Sequence, residues 1–365
     1  MELVAQKGSA AARVTPPLEN RLETFPEFGP DPGALRAWKY IPNGLLPQAP
    51  LVVVLHGCTQ GAASYDDGSG WSRLADTCGF ALLYPEQQAA NNPQRCFNWF
   101  APDDIRRGQG EASSIRHMIT AMIATYDLDP ARVYITGLSA GGAMTSVMLA
   151  TYPETFAAGA IIAGLAYGSA TGVADALARM RGQGFPAEAA LVDLVRNAAP
   201  APVRFPSISI WHGAADTVVV PENAKRLTAQ WRGVHGLSSA PARSDTFSGS
   251  MRQSWTDPSG TTRIESFLVP GMGHGVPLAT RGAEACGVPG PFMLEAGISS
   301  TREIARFFGL LSQTPMSAAP PAASVGRTPV SYETPAVDVS AAPPKPGKGI
   351  SDVIEDALRA AGLMR

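Results

Sequence analysis

The sequence lacks any apolar run long enough to cross a membrane and any region dense in lysine or arginine. Its 365 residues include 29 basic and 31 acidic side chains, which leaves a formal net charge of −2. A transmembrane helix needs about 20 mostly apolar residues, and nucleic-acid binding draws on clustered positive charge. The sequence therefore predicts neither a membrane span nor a nucleic-acid partner.

Cysteine is also scarce. The chain has four, at Cys58, Cys78, Cys96 and Cys286. This is neither a disulfide-dense pattern nor the spacing of a metal site, so no metal is expected. Residues 1–27 contain Lys7 and Arg13 with no apolar stretch after them, so no signal peptide is visible in the sequence as given.

Apolar segments with the composition of buried strands alternate with segments of helical periodicity. The strand candidates are 35–41, 50–56, 80–85, 132–136, 158–163, 207–211 and 263–269, and the helix candidates are 111–126, 142–150, 222–231 and 300–311. This alternation predicts an α/β fold with a mostly parallel, doubly wound sheet. A ligand site in such a fold lies at the carboxyl ends of the strands.

The composition divides the chain into four regions. Residues 1–30 form a polar arm, 31–311 form the α/β domain, 312–348 form a flexible linker rich in proline and alanine, and 349–365 form a C-terminal amphipathic helix. Ser351 is the candidate N-cap of that helix. A helix this short needs a surface to dock on, and its own domain, a sister subunit and an apolar substrate surface are the three alternatives.

Residues 165–206 interrupt the strand–helix rhythm of the α/β domain. Two helix-like segments, 173–180 and 186–197, flank a joint at Gly182-Gln183-Gly184. The segment is either a cap inserted over the site or an ordinary long crossover at the rim of the sheet.

The segment from Gly137 to Gly141 has the pattern G-x-S-x-G, between a candidate strand and a candidate helix. This context predicts a nucleophile elbow, in which a tight turn presents the hydroxyl of Ser139 above the sheet. The flanking glycines fit because a Cβ atom there would clash with neighbouring backbone.

A serine nucleophile needs a base and an acid, which follow it in the chain in this architecture. His56 and His117 precede Ser139, His212 ends a strand, and His235 lies in a predicted loop of small polar residues. His274 directly follows the last strand, and this position makes it the expected base.

Asp216 is the expected acid, because it lies just past the carboxyl end of the preceding strand. Asp245 and Asp257, in a predicted loop and hairpin, are its competitors. Two backbone amides are expected to bind the oxyanion. One is that of Ala140, and the other is that of Cys58, with Thr59 as the alternative.

Several motifs together resemble the polyhydroxybutyrate depolymerase esterase family, which also contains feruloyl and acetylxylan esterases. They are Leu55-His56-Gly57-Cys58-Thr59-Gln60, the segment from Asn92 to Phe100, Arg107-Gly108-Gln109-Gly110-Glu111, and the segment from Gly137 to Met144. The resemblance covers about residues 35–280. It implies an α/β-hydrolase fold, ester hydrolysis through an acyl-enzyme, no cofactor, and Ser139, Asp216 and His274 as the catalytic triad.

The resemblance also bears on substrate contacts and cysteine pairing. Trp99 matches an aromatic position near the family's active-site rim, with a core tryptophan as the alternative, and Leu138 and Thr59 are expected to contact substrate as well. We hypothesise a Cys58–Cys96 disulfide, because both residues lie in family motifs beside the site. Ser169 stands where the family often has a cysteine, which implies that one family disulfide is absent.

Many family members are secreted, which implies secretion here, with the cytoplasm as the alternative. Two classes of function remain at this point. One is a serine esterase acting on polyhydroxyalkanoate-type polyesters, or on feruloyl or acetylxylan esters. The other is a non-catalytic binding or assembly protein on a hydrolase scaffold, in which Ser139 would not react with a fluorophosphonate.

Overall fold

A ten-stranded, mostly parallel sheet lies at the centre of residues 20–311, which are the residues that the computed structural model of the chain describes. Its strands are β1 (Glu23–Thr24), β2 (Arg36–Tyr40), β3 (Leu51–Leu55), β4 (Ala81–Glu86), β5 (Val133–Leu138), β6 (Ala158–Ile162), β7 (Ser207–Gly213), β8 (Arg243–Phe247), β9 (Ser250–Thr256) and β10 (Thr262–Val269). The order across the sheet is β1-β2-β4-β3-β5-β6-β7-β10-β9-β8. The six central strands, in the order β4-β3-β5-β6-β7-β10, are parallel to one another, and antiparallel strands lie at both edges of the sheet.

Helices cover both faces of this sheet. They are α1 (Ala62–Ser69), α2 (Trp71–Cys78), α3 (Pro102–Ile105), α4 (Gly110–Tyr126), α5 (Ala140–Thr151), α6 (Val173–Met180), α7 (Glu188–Ala198), α8 (Glu222–His235) and α9 (Ser300–Phe307). The apolar residues of α4, α5, α7 and α8 belong to one core, and those of α1, α2 and α9 belong to the other. The predicted α/β fold is confirmed.

Strand β3 shows why an unbroken apolar run forms a central strand. All five of its residues are buried, with Leu51, Val53 and Leu55 in one core and Val52 and Val54 in the other. Side chains of a strand alternate between the two faces, so a strand with helices on both sides must be apolar at every position.

The structure adds elements to those that the sequence indicated. Two helices, α1 and α2, follow β3, and a second sheet pairs β11 (Val276–Leu278) with β12 (Met293–Glu295). The assignment of His235 to a loop is wrong, because α8 continues through this residue. Val234 packs in the core and keeps the last turn of the helix in place, and Gly236 then ends the helix in the left-handed conformation.

The segment 165–206 contains both predicted helices, which differ in position. Helix α7 packs against α8 and α5 and so belongs to the helical layer. Helix α6 lines a cavity above the carboxyl ends of the strands. No helix within residues 20–311 combines the length and the apolar composition that crossing a bilayer requires. The linker, the C-terminal helix and most of the N-terminal arm lie outside the described residues.

Candidate active site

Ser139 stands in the turn between β5 and α5, with φ of 58° and ψ of −118°. A non-glycine residue rarely adopts a positive φ, and such strain concentrates at functional sites. The turn is fixed by neighbouring backbone, because the Ser139 amide donates to the Ile162 carbonyl at 2.9 Å. A Cβ atom on Gly141 would overlap the carbonyl oxygens of Leu55 and His56, so only glycine lets α5 start this close to β3.

Asp216 and His274 form a buried pair beside this turn. The His274 Nδ1–H donates to Asp216 Oδ2 at 2.7 Å, and the other carboxylate oxygen accepts the amides of Val218 and Val219, each at 2.9 Å. Both side chains are almost completely buried. This arrangement fixes the orientation of the imidazole and leaves its Nε2 free of the carboxylate.

The loop carrying His274 approaches the end of β7 at Gly213. A Cβ atom on Gly213 would overlap the carbonyl oxygens of Met272 and Gly273, so a larger residue would push this loop away. The Ala215 amide also donates to the Met272 carbonyl at 2.9 Å. These contacts bring Asp216 and His274 together from two different strand ends.

His212 lies on the other side of Asp216. Its Nε2–H donates to the Val219 carbonyl at 2.6 Å and lies 3.5 Å from Asp216 Oδ2. Burial lowers the pKa of His212, which keeps the imidazole neutral. Its ring therefore supports the Asp216–Val219 turn, and His212 does not line the cavity that contains Ser139.

The loop after β3 carries the expected oxyanion donors and is braced from several directions. The Gly57 amide donates to Gln60 Oε1 at 2.9 Å, and the Thr59 amide donates to the Gln94 carbonyl at 2.6 Å. The Thr59 amide is thus already paired. By contrast, the amides of Cys58 and Ala140 have no acceptor among the described residues.

His56 and a disulfide complete this brace. The His56 Nδ1–H donates to the Gly57 carbonyl at 2.7 Å, while its Nε2 accepts the Gln87 amide at 3.1 Å. Burial lowers the pKa of His56, in agreement with a neutral ring that donates on one side and accepts on the other. Cys58 and Cys96 are joined in a disulfide, which ties the loop after β3 to the loop after β4.

Glu111 is a fully buried carboxyl group behind these loops. Its two oxygens accept from Gln87 Nε2 and from the Asn98 amide, the latter at 2.8 Å. Burial, followed by the nearby charge of Asp104, raises the pKa of Glu111 to about 8. This residue anchors the backbone next to Trp99.

One cavity, which we call the site cavity, joins these parts. Its lining includes Ser139, His274, Cys58 and Ala140 together with all three residues expected to contact substrate, Trp99, Leu138 and Thr59. Trp99 is both largely buried and part of this lining, so the rim and core alternatives both describe it. Asp216 supports the cavity from behind.

Sequence reasoning placed α6 in a possible cap over the site but identified none of its residues as part of the lining. Four of its residues face the cavity: Val173, Ala176, Leu177 and Met180. Their spacing of three, four and seven residues is also that of an ordinary core-facing stripe. The only sequence signal that could have distinguished a cavity-lining stripe from a core-facing one was the interruption of the strand–helix alternation around residue 165.

The fold and this arrangement are those of an α/β hydrolase. The family model described as "Esterase PHB depolymerase" matches residues 35–253, and the chain belongs to this family of ester hydrolases. The resemblance found from the motifs is therefore confirmed.

Relatives within this family act on different esters. The chain is 44% identical over 290 residues to poly(3-hydroxyalkanoate) depolymerase C of Paucimonas lemoignei, covering 78% of this chain and 69% of that protein. It is 32% identical to feruloyl esterase B of Talaromyces stipitatus, with 68% and 71% covered. It is 30% identical to acetylxylan esterase A of Aspergillus oryzae, with 71% and 86% covered. The solved acetyl xylan esterase from Aspergillus awamori shares the fold, with a TM-score of 0.67 at 24% identity over 80% of this chain and 99% of that one.

Proposed function

We propose that the chain hydrolyses esters through an acyl-enzyme formed on Ser139. His274 removes the hydroxyl proton as Oγ attacks the ester carbonyl, then returns this proton to the leaving alcohol. Asp216 orients His274 and stabilises the imidazolium. Water then attacks the acyl-enzyme by the same route, which releases the acid and restores the serine.

The amides of Cys58 and Ala140 are the proposed oxyanion donors. Both line the site cavity and have no acceptor among residues 20–311. The pairing of the Thr59 amide with the Gln94 carbonyl argues for Cys58 over Thr59. Rigid donors of this kind stabilise the negative charge that develops on the carbonyl oxygen, and losing one typically costs about 10²–10³ in rate.

The observation that carries this proposal is that His274, held by Asp216, lines the same cavity as a strained Ser139. A serine nucleophile needs an oriented base, and the bond to Asp216 fixes the orientation of His274. The three residues come from three different strand ends. In enzymes without bound substrate, the hydrogen bond between the catalytic serine and histidine is often long or poorly aligned, because it tightens only when the substrate is bound.

For the substrate, we propose a polyhydroxyalkanoate-type polyester or its oligomers. The first support is the 44% identity to a protein named as a poly(3-hydroxyalkanoate) depolymerase. The second is the lining of the site cavity, which is mostly aliphatic and aromatic. Sugar recognition relies on many placed hydrogen-bonding groups, whereas an alkyl polyester needs mainly apolar contact.

Feruloyl or acetylxylan esters are the second candidate. The lining contains Trp99 and Phe100 beside the amide side chains of Asn92 and Gln94. Such a combination suits an aromatic ring that carries polar substituents, or a sugar stacked on an aromatic face.

Secretion is part of the same proposal and is supported by the Cys58–Cys96 disulfide, because disulfides persist in oxidising compartments. Thiol counting on the denatured, non-reduced protein from its natural source tests it. Two free thiols, those of Cys78 and Cys286, are expected. Four free thiols would favour the cytoplasm.

The decisive experiment compares the wild type with Ser139→Ala on p-nitrophenyl butyrate, methyl ferulate, acetylated xylan and a polyhydroxybutyrate suspension. We expect the polyester and the butyrate to be the best substrates, and kcat to fall by about 10⁴-fold or more in the variant. Fluorophosphonate labelling of the wild type, but not of the variant, should accompany this loss. Activity that survives in Ser139→Ala would contradict the assignment, and absence of labelling would favour the non-catalytic alternative.

A further inference from the structure

The strand order divides the site cavity into two halves at Ser139. Strand β5, which ends at the nucleophile, has β3 and then β4 on one side and β6 and then β7 on the other. These strands are parallel, so the loops after their carboxyl ends emerge at the same edge of the sheet. Loops after β3 and β4 therefore form one half of the cavity, segments after β6 and β7 form most of the other, and His274 and Phe292 enter from the chain after β10.

The two halves differ in chemistry. The half formed after β3 and β4 presents polar and aromatic groups: Thr59, Gln60, Asn92, Gln94, Trp99 and Phe100. The half formed after β6 and β7 presents apolar residues only, chiefly Val173, Ala176, Leu177 and Met180 of α6 with Val218 and Val219. An all-apolar wall selects hydrocarbon, because each polar group placed there would lose its hydrogen bonds to water.

The two halves also differ in exposure. Thr59 is exposed to solvent at the edge of the mixed half, whereas none of the apolar wall residues is exposed. Thr59 therefore places the solvent-exposed edge of the cavity lining in the mixed half.

Helix α6 is held in place as a fixed wall. At its C-terminal end, the Met180 carbonyl accepts the Val220 amide at 2.9 Å, and the Arg179 carbonyl accepts from Asn223 Nδ2 at 2.9 Å. The Arg179 side chain donates from Nε to the Ser169 carbonyl at 2.8 Å. The bonds from Val220 and Asn223 fix the helix to the segment that follows Asp216, and the bond to Ser169 fixes it to the loop that precedes the helix.

We infer that this apolar half is the acyl subsite, and that Leu177 and Met180 set the length of acyl chain that the enzyme accepts. The inference rests on the proposed function. The acyl group becomes attached to Ser139 in the first half-reaction and remains in the site until water releases it in the second, whereas the alcohol must leave and water must enter between the two steps. The apolar half suits the group that stays, and the mixed half, which reaches solvent at Thr59, suits the group that departs.

Leu177 and Met180 are the size-determining residues because they are the two largest side chains that α6 contributes to this wall. Truncating one of these side chains removes several carbon or sulfur atoms from the wall and makes room in the cavity for a longer acyl chain. In an apolar cavity, each methylene group in contact changes kcat/KM by about tenfold or more.

The test measures kcat/KM of the full chain on two ester series. The acyl series is p-nitrophenyl butyrate, hexanoate and octanoate, and the alcohol series is ethyl, butyl and hexyl acetate. In Leu177→Ala and Met180→Ala we expect the octanoate-to-butyrate ratio to rise by about tenfold, and the hexyl-to-ethyl ratio to stay unchanged. Leu194→Ala is the matched control, because Leu194 is a partly buried leucine of α7 outside the cavity lining, and both its ratios should equal those of the wild type.

An unchanged acyl ratio, or a change confined to the alcohol series, would overturn the inference. Ala176→Leu provides a second variant, in which a larger side chain on the same wall narrows the cavity. Its octanoate-to-butyrate ratio of kcat/KM should fall. It keeps the test decisive if a truncation variant does not fold, which thermal melts will show. Failure of the proposed function is distinguishable, since the wild type would then show no Ser139-dependent hydrolysis in either series.

Discussion

At the scale of single residues, the carboxylate of Asp216 is held on every side. One oxygen accepts two backbone amides, and the other faces His274 at 2.7 Å and His212 at 3.5 Å. The two amides and the His274 Nδ1–H all donate to this carboxylate. This environment makes Asp216 sensitive to any change that introduces a donor.

Asp216→Asn should lower kcat by about 10³–10⁴-fold with a smaller effect on KM, because the amide group forces the imidazole toward the wrong tautomer. Steady-state kinetics on p-nitrophenyl butyrate would measure this split. Asp245→Asn is the matched control. Asp245 pairs with Arg252 on the β8–β9 hairpin, away from the site cavity. A loss in the control that equals the loss in Asp216→Asn would refute the assignment of the acid.

Chain order and strand ends alone predict Ser139, Asp216 and His274 as the triad. In the structure the serine and the histidine line one cavity, and the aspartate is hydrogen-bonded to the histidine. The choice between the Cys58 and Thr59 amides depended on where the Gln94 carbonyl lies. No local pattern encodes that contact, because it joins two loops.

At the scale of elements, the elbow and α6 show opposite degrees of predictability. The elbow is a local motif, since strand, turn and helix follow one another in the chain. Helix α6 is predictable as a helix with the observed bounds, Val173–Met180. Its role as the wall of a cavity is not predictable from the sequence, because an apolar stripe that faces a cavity and one that faces a core have the same periodicity.

Helices α1 and α2 were missed for a different reason. Gly61, Gly68, Gly70 and Gly79 punctuate this stretch, so no apolar period extends over more than two turns. Their positions are set by packing on the sheet, where Tyr65 and Trp71 are fully buried. Tertiary contacts override a weak local pattern here.

The junction of β7 with the His274 loop yields a prediction at this scale. Gly213→Ala should destabilise the fold by about 1–3 kcal/mol, because the added methyl group overlaps the Met272 and Gly273 carbonyls. It should also lower kcat, since the displaced loop carries His274, the proposed base. Urea unfolding and kinetics would be measured together.

Gly290→Ala is the matched control, since a Cβ atom at this position meets nothing within 4 Å. The control should unfold at the wild-type urea concentration. If Gly213→Ala leaves both the stability and kcat unaltered, the close contact between the end of β7 and the loop that carries His274 is not required, and the prediction is wrong.

At the scale of the whole molecule, alternation of strands and helices was enough to predict the α/β class. The order of strands was not predictable in the same way, because it depends on which crossover passes over which strand. The antiparallel edge at β8 also gave little signal, since no residue of Arg243–Phe247 is fully buried and its composition is that of a loop.

Global stability should depend on pH through Glu111, whose pKa is raised to about 8 in the fold. Between the ordinary carboxyl pKa of about 4.5 and this value, the folded protein retains a proton that the unfolded chain releases. Stability from this group therefore falls as pH rises through the window, by up to about 1.4 kcal/mol per pH unit, and levels off above it.

Glu111→Gln should remove this contribution, because the amide does not titrate. Urea unfolding at pH 6 and pH 8.5 would measure the difference for wild type and variant. Glu154→Gln is the control, since Glu154 pairs with Arg107 at the surface, and its dependence on pH should match that of the wild type. Parallel curves for Glu111→Gln and wild type would contradict the raised pKa.

The bond between the Val220 amide and the Met180 carbonyl joins the wall of the cavity to the segment that follows the acid. A mutation that shifted the whole helix would also disturb Asp216 and would be lost by selection. Exchange of single side chains on α6 leaves that backbone bond intact. Substrate preference in this family should therefore diverge by point substitutions along one face of α6. The backbone of the helix should stay in the same position among relatives that act on different esters.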